Sequence, residues 1–136
     1  MDFEKLKNFR NFGNAFAKTM NLTVTDIKLG YAEASMPVTE HSMNPIGSVH
    51  GGCLYTIADV VGGAAACSHG YLVTTLDASF HYLRPGINST RLTAVARELK
   101  AGKRVLVYNI SVMDQDNKVL AEGIFTYASL GKEVPL

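Results

Sequence analysis

The sequence predicts an α+β domain in which one long buried helix is wrapped by a curved antiparallel β-sheet. Residues 53–69 read CLYTIADVVGGAAACSH, a helix-length segment that is apolar nearly all round, as in a helix buried on every side. Four strand-like runs follow it, and only short turn sequences separate them. Short turns typically join antiparallel neighbours, and a curved sheet around the helix buries both.

Length and composition indicate one globular domain over residues 1–136. The chain is 47% hydrophobic and 18% charged, with a net charge of +1, so no overall field attracts nucleic acid or an anionic membrane. Lys and Arg interrupt the N-terminus, and no apolar stretch approaches a signal peptide or a membrane span. Cys53 and Cys67 cannot bridge within one helix, which favours reduced core residues in a cytoplasmic protein.

The elements before the buried helix are a helix and a hairpin. Residues 1–20 carry apolar side chains at three- to four-residue steps and predict an amphipathic helix that packs on its own domain, with a membrane-surface helix as the alternative. Residues 22–29 and 31–38 predict two strands that meet at Gly30. A polar, glycine-containing loop then covers residues 39–52.

The last four predicted strands cover residues 72–83, 90–99, 105–113 and 119–130. The sequences between them are RPGINS, KAGKR and DQDNK, which are typical of turns. We therefore expect these four strands to be successive antiparallel neighbours.

The junction between the polar loop and the helix contains the distinctive residues of the chain. Asn44 is followed six positions later by His50-Gly51-Gly52, and Asp59 stands eight positions after Gly51. This pattern resembles the 4-hydroxybenzoyl-CoA thioesterase superfamily, and in particular its phenylacetate-pathway branch. The likeness covers residues 21–130, including the strand end Tyr82-Leu-Arg-Pro85. It implies a hotdog fold, an acyl-CoA substrate without a separate cofactor, and assembly as a homodimer, with a homotetramer built as a dimer of dimers.

Asp59 is a candidate catalytic residue on its own evidence. It lies among Ile57, Ala58 and Val60 in the apolar helix, and a buried carboxylate needs a partner or a function. A structural aspartate bonded to a backbone donor is the alternative. Gly62 and Gly63 cost the helix about 2 kcal/mol relative to alanine, so a ligand or a second helix is expected to approach there.

Gly51 is the candidate oxyanion donor because it stands at the start of the helix. Backbone N–H groups there lack intrahelical partners, and the helix dipole is positive. The alternative is a glycine that only makes the turn. Gly51 and Asp59 are about 12 Å apart along a helix, too far to act on one carbonyl. Two antiparallel copies would bring Asp59 of one chain to Gly51 of the other.

The resemblance assigns further roles to three residues. Asn44 would position the attacking water or the carboxylate, and His50 would hold the loop or hydrogen-bond near the leaving sulfur. Thr75 would assist the water, although it could equally be an exposed strand residue. The alternation of side chains along its strand places Thr75 on the same face as Asp77 and on the face opposite to Phe80.

The CoA moiety needs cations for its phosphates. The candidates lie in two segments of the chain, and solvated turn residues are the alternative for each. They are Arg84 and Pro85 after the first of the four strands, and Lys100, Lys103 and Arg104 around the next turn.

The function predicted is hydrolysis of an acyl-CoA, with Asp59 as general base or as nucleophile through an anhydride. The acyl group, aryl, arylacetyl or medium-chain, stays open. The sequence lacks a Gly-x-Ser-x-Gly elbow, and its histidines and cysteines show no metal-ligand spacing, so no metal site is predicted. A hotdog hydratase or dehydratase, and a non-catalytic acyl-CoA sensor, are the alternatives.

Overall fold

A computed structural model describes all of residues 1–136, and its single six-stranded sheet wraps the central helix α3. The sheet is antiparallel throughout, in the order β1-β2-β4-β5-β6-β3. The predicted α+β architecture is confirmed. The elements are α1 (Phe3–Gly13), α2 (Ala15–Thr19), β1 (Thr23–Lys28), β2 (Tyr31–Pro37), a 3-10 turn (Glu40–Ser42), α3 (Gly51–Cys67), β3 (Tyr71–Tyr82), β4 (Arg91–Ala101), β5 (Val105–Met113) and β6 (Val119–Glu133).

Helix α3 is the centre of the core but is not covered on every side. Eleven of its 17 residues are buried, and they pack against the concave face of the sheet. One face stays open, because Gly52 and Tyr55 are exposed and Thr56 and Asp59 are only partly buried. These positions follow the i, i+3, i+4, i+7 spacing of a single helix face. The prediction of a helix buried all round is therefore wrong for this face.

The connection from β3 to β4 is not the predicted hairpin. β3 is an edge strand that pairs only with β6, whereas β4 lies between β2 and β5. The segment between them crosses the end of the sheet and bonds to what it passes. The N–H of Arg84 donates to the carbonyl of Leu120, and the carbonyl of Thr90 accepts from Val38. The two later turns do make hairpins, as predicted.

The N-terminal segment forms two helices rather than one helix over residues 1–20. The break follows from Gly13-Asn14, a weak helix former followed by a good N-cap, and the Asn14 side chain accepts the N–H of Ala17 at 3.0 Å. Packing on the domain is confirmed, because Leu6 is fully buried in the core. Phe12, beside the break, is 83% exposed and leaves the predicted apolar stripe.

Two further predictions concern α3 and the hairpin before it. Gly30 joins β1 to β2 with a φ of 70°, the left-handed conformation that glycine adopts readily. Cys53 and Cys67 are buried free thiols in the core, as predicted. Burial raises the pKa of both, so neither thiol readily forms a thiolate.

The helices of this protein are too short or too polar for any of them to span a membrane.

Candidate active site

Asp59 is held by side chains from two strands. The Thr75 hydroxyl of β3 donates to Asp59 Oδ1 at 2.6 Å, and the Tyr127 hydroxyl of β6 donates to the Asp59 carbonyl oxygen at 2.9 Å and lies 3.4 Å from Oδ1. The second carboxylate oxygen, Oδ2, accepts no hydrogen bond within the chain, so it is free to meet water or substrate. A cavity of about 210 Å³ opens beside it, lined by Arg10, Asn14, Asp59, Val60, Gly63, Val73, Thr74, Thr75 and Tyr127.

Tyr127 is a permanent hydrogen-bond donor in this arrangement. Burial, reinforced by the negative charge of Asp59, raises the pKa of Tyr127 well above its usual value. The phenol therefore stays protonated at neutral pH and keeps donating to Asp59. It fixes the carboxylate without competing with it as a base.

Thr75 reaches Asp59 because β3 contains a bulge. Thr75 pairs with Tyr127 and Asp77 pairs with Thr126, which leaves Leu76 as an extra residue. The bulge shifts the alternation, so Thr75 and Phe80 face the helix together. The prediction that Thr75 and Phe80 lie on opposite faces is wrong for this reason.

The two glycines in the middle of α3 admit side chains of the same chain. A Cβ atom at Gly62 would overlap the hydroxyl of Tyr127, and one at Gly63 would lie 2.9 Å from Nη2 of Arg10. The expected close approach is real, but neither a ligand nor a second helix makes it. Gly62 is the position that lets Tyr127 reach Asp59.

Gly51 is the first residue of α3, and its N–H makes no hydrogen bond within the chain. Its neighbours are fixed: His50 Nδ1 accepts the N–H of Gly52 at 2.8 Å, and the Tyr82 hydroxyl donates to the carbonyl of Gly51 at 3.2 Å. His50 thus caps the helix, and the two roles predicted for it, holding the loop or hydrogen-bonding near the leaving sulfur, stay predictions. Because Nδ1 accepts, the ring proton of neutral His50 is on Nε2.

Asn44 shapes the loop that precedes α3. Its Oδ1 accepts the N–H groups of Ile46 at 3.1 Å and Ser48 at 3.0 Å, and its Nδ2 donates to Ser48 Oγ at 2.7 Å. These local bonds hold a turn of the kind that asparagine favours. The role in positioning water stays a prediction.

Asn44, Gly51, Arg84 and Pro85 all line a second cavity, of about 280 Å³, at the N-terminus of α3. The cavity beside Asp59 shares no residue with it. Eight residues of continuous helix, roughly 12 Å, separate Gly51 from Asp59. One chain therefore brings Thr75 to Asp59, and Asn44 to Gly51, but does not bring the two groups together.

This combination of fold and motif agrees with a family match. The sequence model of the thioesterase superfamily matches residues 46–121, more than half of the chain. The chain belongs to the thioesterase superfamily. The predicted family and the predicted enzyme class, a thioester hydrolase, are thereby confirmed.

Individual members of the thioesterase superfamily support the same placement. The acyl-coenzyme A thioesterase PaaI of Escherichia coli is 32% identical over 108 residues, which span 79% of this chain and 77% of PaaI. The structure of E. coli PaaI superposes with a TM-score of 0.85 at 28% identity, covering 94% of this chain and 98% of that one. The predicted hotdog fold is confirmed by this likeness.

Two further similar proteins are a CoA thioester hydrolase by name and a structure solved with a bound CoA thioester. The 1,4-dihydroxy-2-naphthoyl-CoA hydrolase of E. coli is 29% identical over 101 residues, covering 72% of this chain and 74% of that protein. The structure of smu.793 from Streptococcus mutans, bound to acetyl CoA, superposes with a TM-score of 0.78 at 27% identity. It covers 84% of this chain and 92% of that one.

The predicted CoA-binding residues fall at opposite ends of α3. Arg84, whose Nη1 donates to the carbonyl of Val119 at 2.8 Å, and Pro85 stand at the N-terminal end. Lys100, Lys103 and Arg104 belong to the β4–β5 hairpin, and Lys103 shares a cavity of about 360 Å³ with His69 beyond the C-terminal end. The length of α3, about 24 Å, lies between them.

Sequence reasoning missed two tyrosines that complete the site. Tyr127 had a signal, since the glycine at position 62 required a close neighbour, but nothing in the sequence said which residue it was. Tyr82, which reaches Gly51, was noted only as part of a strand end. The bulge that places Tyr82 on the side of Gly51 has no sequence signature here.

Proposed function

We propose that this member of the thioesterase superfamily hydrolyses acyl-CoA thioesters, with Asp59 of one chain and the Gly51 N–H of a second chain acting on the same carbonyl. One observation supports this most strongly: a carboxylate fixed by Thr75 and Tyr127 keeps its Oδ2 free beside a cavity. The names of PaaI and of the acetyl-CoA complex of smu.793 point to the same substrate class.

The chemistry follows from the two groups. The thioester oxygen accepts the Gly51 N–H, and the positive end of α3 stabilises the negative charge that develops there. Asp59 takes a proton from water as the water oxygen bonds to the carbonyl carbon, or attacks that carbon itself. The C–S bond then breaks and CoA leaves as a thiolate, which needs no strong general acid. The first route gives the carboxylic acid directly, whereas the second leaves an anhydride on Asp59, which water hydrolyses to the acid and free Asp59.

Self-association supplies the missing half of each site in this proposal. The open face of α3 centres on Tyr55, which is 38% exposed and lies midway between Gly51 and Asp59. The edge strand β3 runs beside it with its outer backbone groups unpaired, a surface that commonly pairs with another chain. If two α3 helices pack antiparallel with Tyr55 at the centre, Asp59 of each chain lies opposite Gly51 of the other chain, which makes two equivalent sites. A dimer of dimers stays a prediction.

The same antiparallel geometry would reunite the two groups of CoA candidates. With Tyr55 on the twofold axis, the C-terminal end of one α3 extends past the N-terminal end of the other. The β4–β5 hairpin of one chain then lies near the level of Arg84 of the other. Cations from both chains could in this way meet one CoA phosphate group.

A panel of acyl-CoA substrates tests the proposal directly. Hydrolysis releases a free thiol, which a thiol reagent detects continuously. A hydratase or dehydratase would change the acyl group without releasing thiol, and a sensor would bind without turnover. Absence of thiol release across aryl, arylacetyl and short- to medium-chain thioesters would reject hydrolysis.

Replacing Thr75 by Val should lower kcat by about tenfold or more, because the hydrogen bond to Asp59 is charge-assisted and bonds of that kind contribute roughly 1.5–3 kcal/mol. KM should change little. Steady-state kinetics on one acyl-CoA measures this. Thr75→Ser keeps the hydroxyl and is the matched control. Equal kcat values in the Val and Ser variants would show that the Thr75 hydroxyl does not contribute to catalysis.

Replacing Lys103 and Arg104 together by Ala should raise KM for acyl-CoA more than it lowers kcat, because phosphate contacts lie far from the reacting carbonyl. An acyl-pantetheine lacks the nucleotide and should show no such change in KM. Lys28→Ala, on the far edge strand β1, is the control. An equal effect on the KM of both substrates would show that Lys103 and Arg104 do not bind the CoA phosphates.

A further inference from the structure

Arg10 is a cation in the Asp59 cavity that the proposed mechanism does not use. It comes from α1, lines the cavity, and lays its guanidinium across α3 at Gly63, one helical turn beyond Asp59. Gly63 makes this possible, because a Cβ there would stand 2.9 Å from Nη2. The guanidinium is thus built into the wall of the cavity.

The guanidinium of Arg10 lacks an oxygen acceptor within the chain. Its Nε is buried without any hydrogen-bond partner, and its one contact is a weak bond from Nη1 to the Cys67 sulfur at 3.8 Å. It forms no ion pair, and the Asp59 carboxylate lies beyond ion-pair distance from it. A partly buried guanidinium normally pairs with a carboxylate or carbonyl, so this one is short of a partner.

We propose that Arg10 receives the far end of the acyl group, and that the enzyme prefers short acyl groups ending in a carboxylate. This rests on the proposed function, which puts the thioester carbonyl at Asp59. A planar guanidinium matches a carboxylate in a two-bond fork, and the pairing is charge-assisted. An uncharged alkyl end would instead leave the cation without a partner.

The spacing sets the length of the acyl group. Gly63 lies four residues beyond Asp59, a rise of about 6 Å along α3. An extended chain advances about 1.2 Å per bond, so about five bonds span this distance. A cavity of about 210 Å³ is also below the range of roughly 300–1,000 Å³ typical of drug-sized ligands. A glutaryl group fits both requirements.

The test compares glutaryl-CoA with pentanoyl-CoA, which has the same five-carbon chain without the carboxylate. The wild-type enzyme should show a higher kcat/KM for glutaryl-CoA. Arg10→Met keeps the packing of the stem over Gly63 and removes the charge. It should lower kcat/KM for glutaryl-CoA about tenfold or more while changing that for pentanoyl-CoA by less than about threefold. Arg10→Lys keeps the charge and should retain more of the preference than Arg10→Met.

Two results would overturn the assignment: a wild-type enzyme that handles both thioesters equally, or an Arg10→Met variant that loses both to the same extent. The second would mean that Arg10 braces α1 or touches CoA. Thermal unfolding verifies that each variant is folded.

A binding measurement separates this inference from the proposed hydrolysis. Titration calorimetry in an Asp59→Asn background should show tighter binding of glutaryl-CoA than of pentanoyl-CoA, and Arg10→Met should abolish the difference. If the wild-type protein released no thiol but kept this binding preference, hydrolysis would be rejected and the role of Arg10 supported. Equal binding of the two thioesters would reject the role of Arg10, whatever the turnover.

Discussion

Asp59→Asn is expected to lower kcat by roughly two orders of magnitude or more while acyl-CoA still binds. The amide keeps the size of the carboxylate, and its oxygen can still accept from Thr75 and Tyr127. What it loses is the ability of Oδ2 to take a proton or to attack a carbonyl carbon. Single-turnover thiol release measures the chemical step, and titration calorimetry measures binding.

The control for this experiment is another aspartate. Asp116 lies exposed in the β5–β6 turn, so Asp116→Asn makes the same chemical change far from the cavity and should leave kcat unchanged. A folded Asp59→Asn variant with near-normal kcat would contradict the assignment of Asp59 as base or nucleophile.

The parts of the fold that the sequence predicts are those set by local pattern. The apolar segment predicted α3, and the predicted position of Gly51 at the start of the helix is confirmed, because His50 caps the helix there. The hairpins at Gly30 and at the two later turns were predicted correctly, because the residues that form a turn are close neighbours in the sequence. The motif from Asn44 to Asp59 could also be recognised from the sequence, because all its residues lie in one short segment of the chain.

What the sequence did not predict depends on contacts between distant segments. The β3–β4 connection has the composition of a turn, yet it spans the end of the sheet because β3 finds its partner in β6. The bulge at Leu76 turns Thr75 toward Asp59, and an alternating pattern cannot show one extra residue. Tyr127 lies 68 positions after Asp59, so only the folded sheet reveals their hydrogen bond.

The open face of α3 has a different explanation. The helix is apolar overall, yet the stripe that one chain leaves uncovered carries Tyr55, Thr56 and Asp59, its less apolar side chains. The proposed mechanism places the α3 helix of a second chain on this stripe. The predicted sharing of the site between chains therefore becomes the point at which the whole mechanism can be tested.

Mixing two inactive variants should restore activity if the site is shared. One variant is Asp59→Asn, and the other is Gly51→Pro, which removes the proposed oxyanion N–H. Proline suits the first position of a helix, and His50 before it is already extended, with a ψ of 134°. Loss of one oxyanion donor costs about 10²–10³ in kcat, so each variant alone should be nearly inactive. Gly51→Ala keeps the N–H and is the matched control for the added bulk near Tyr82.

After co-refolding at equal amounts, random pairing makes about half of the dimers mixed, and twofold symmetry gives each mixed dimer one intact site out of two. Roughly a quarter of wild-type activity should return, because the intact Asp59 and the intact Gly51 then come from different chains. If both residues served one site within a chain, every site in a mixed dimer would carry one defect and no activity would return. Native mass spectrometry confirms that mixed dimers have formed. With mixed dimers present and inactive, the antiparallel pairing of α3 about Tyr55 would be wrong, and Asp59 would need an oxyanion donor within its own chain.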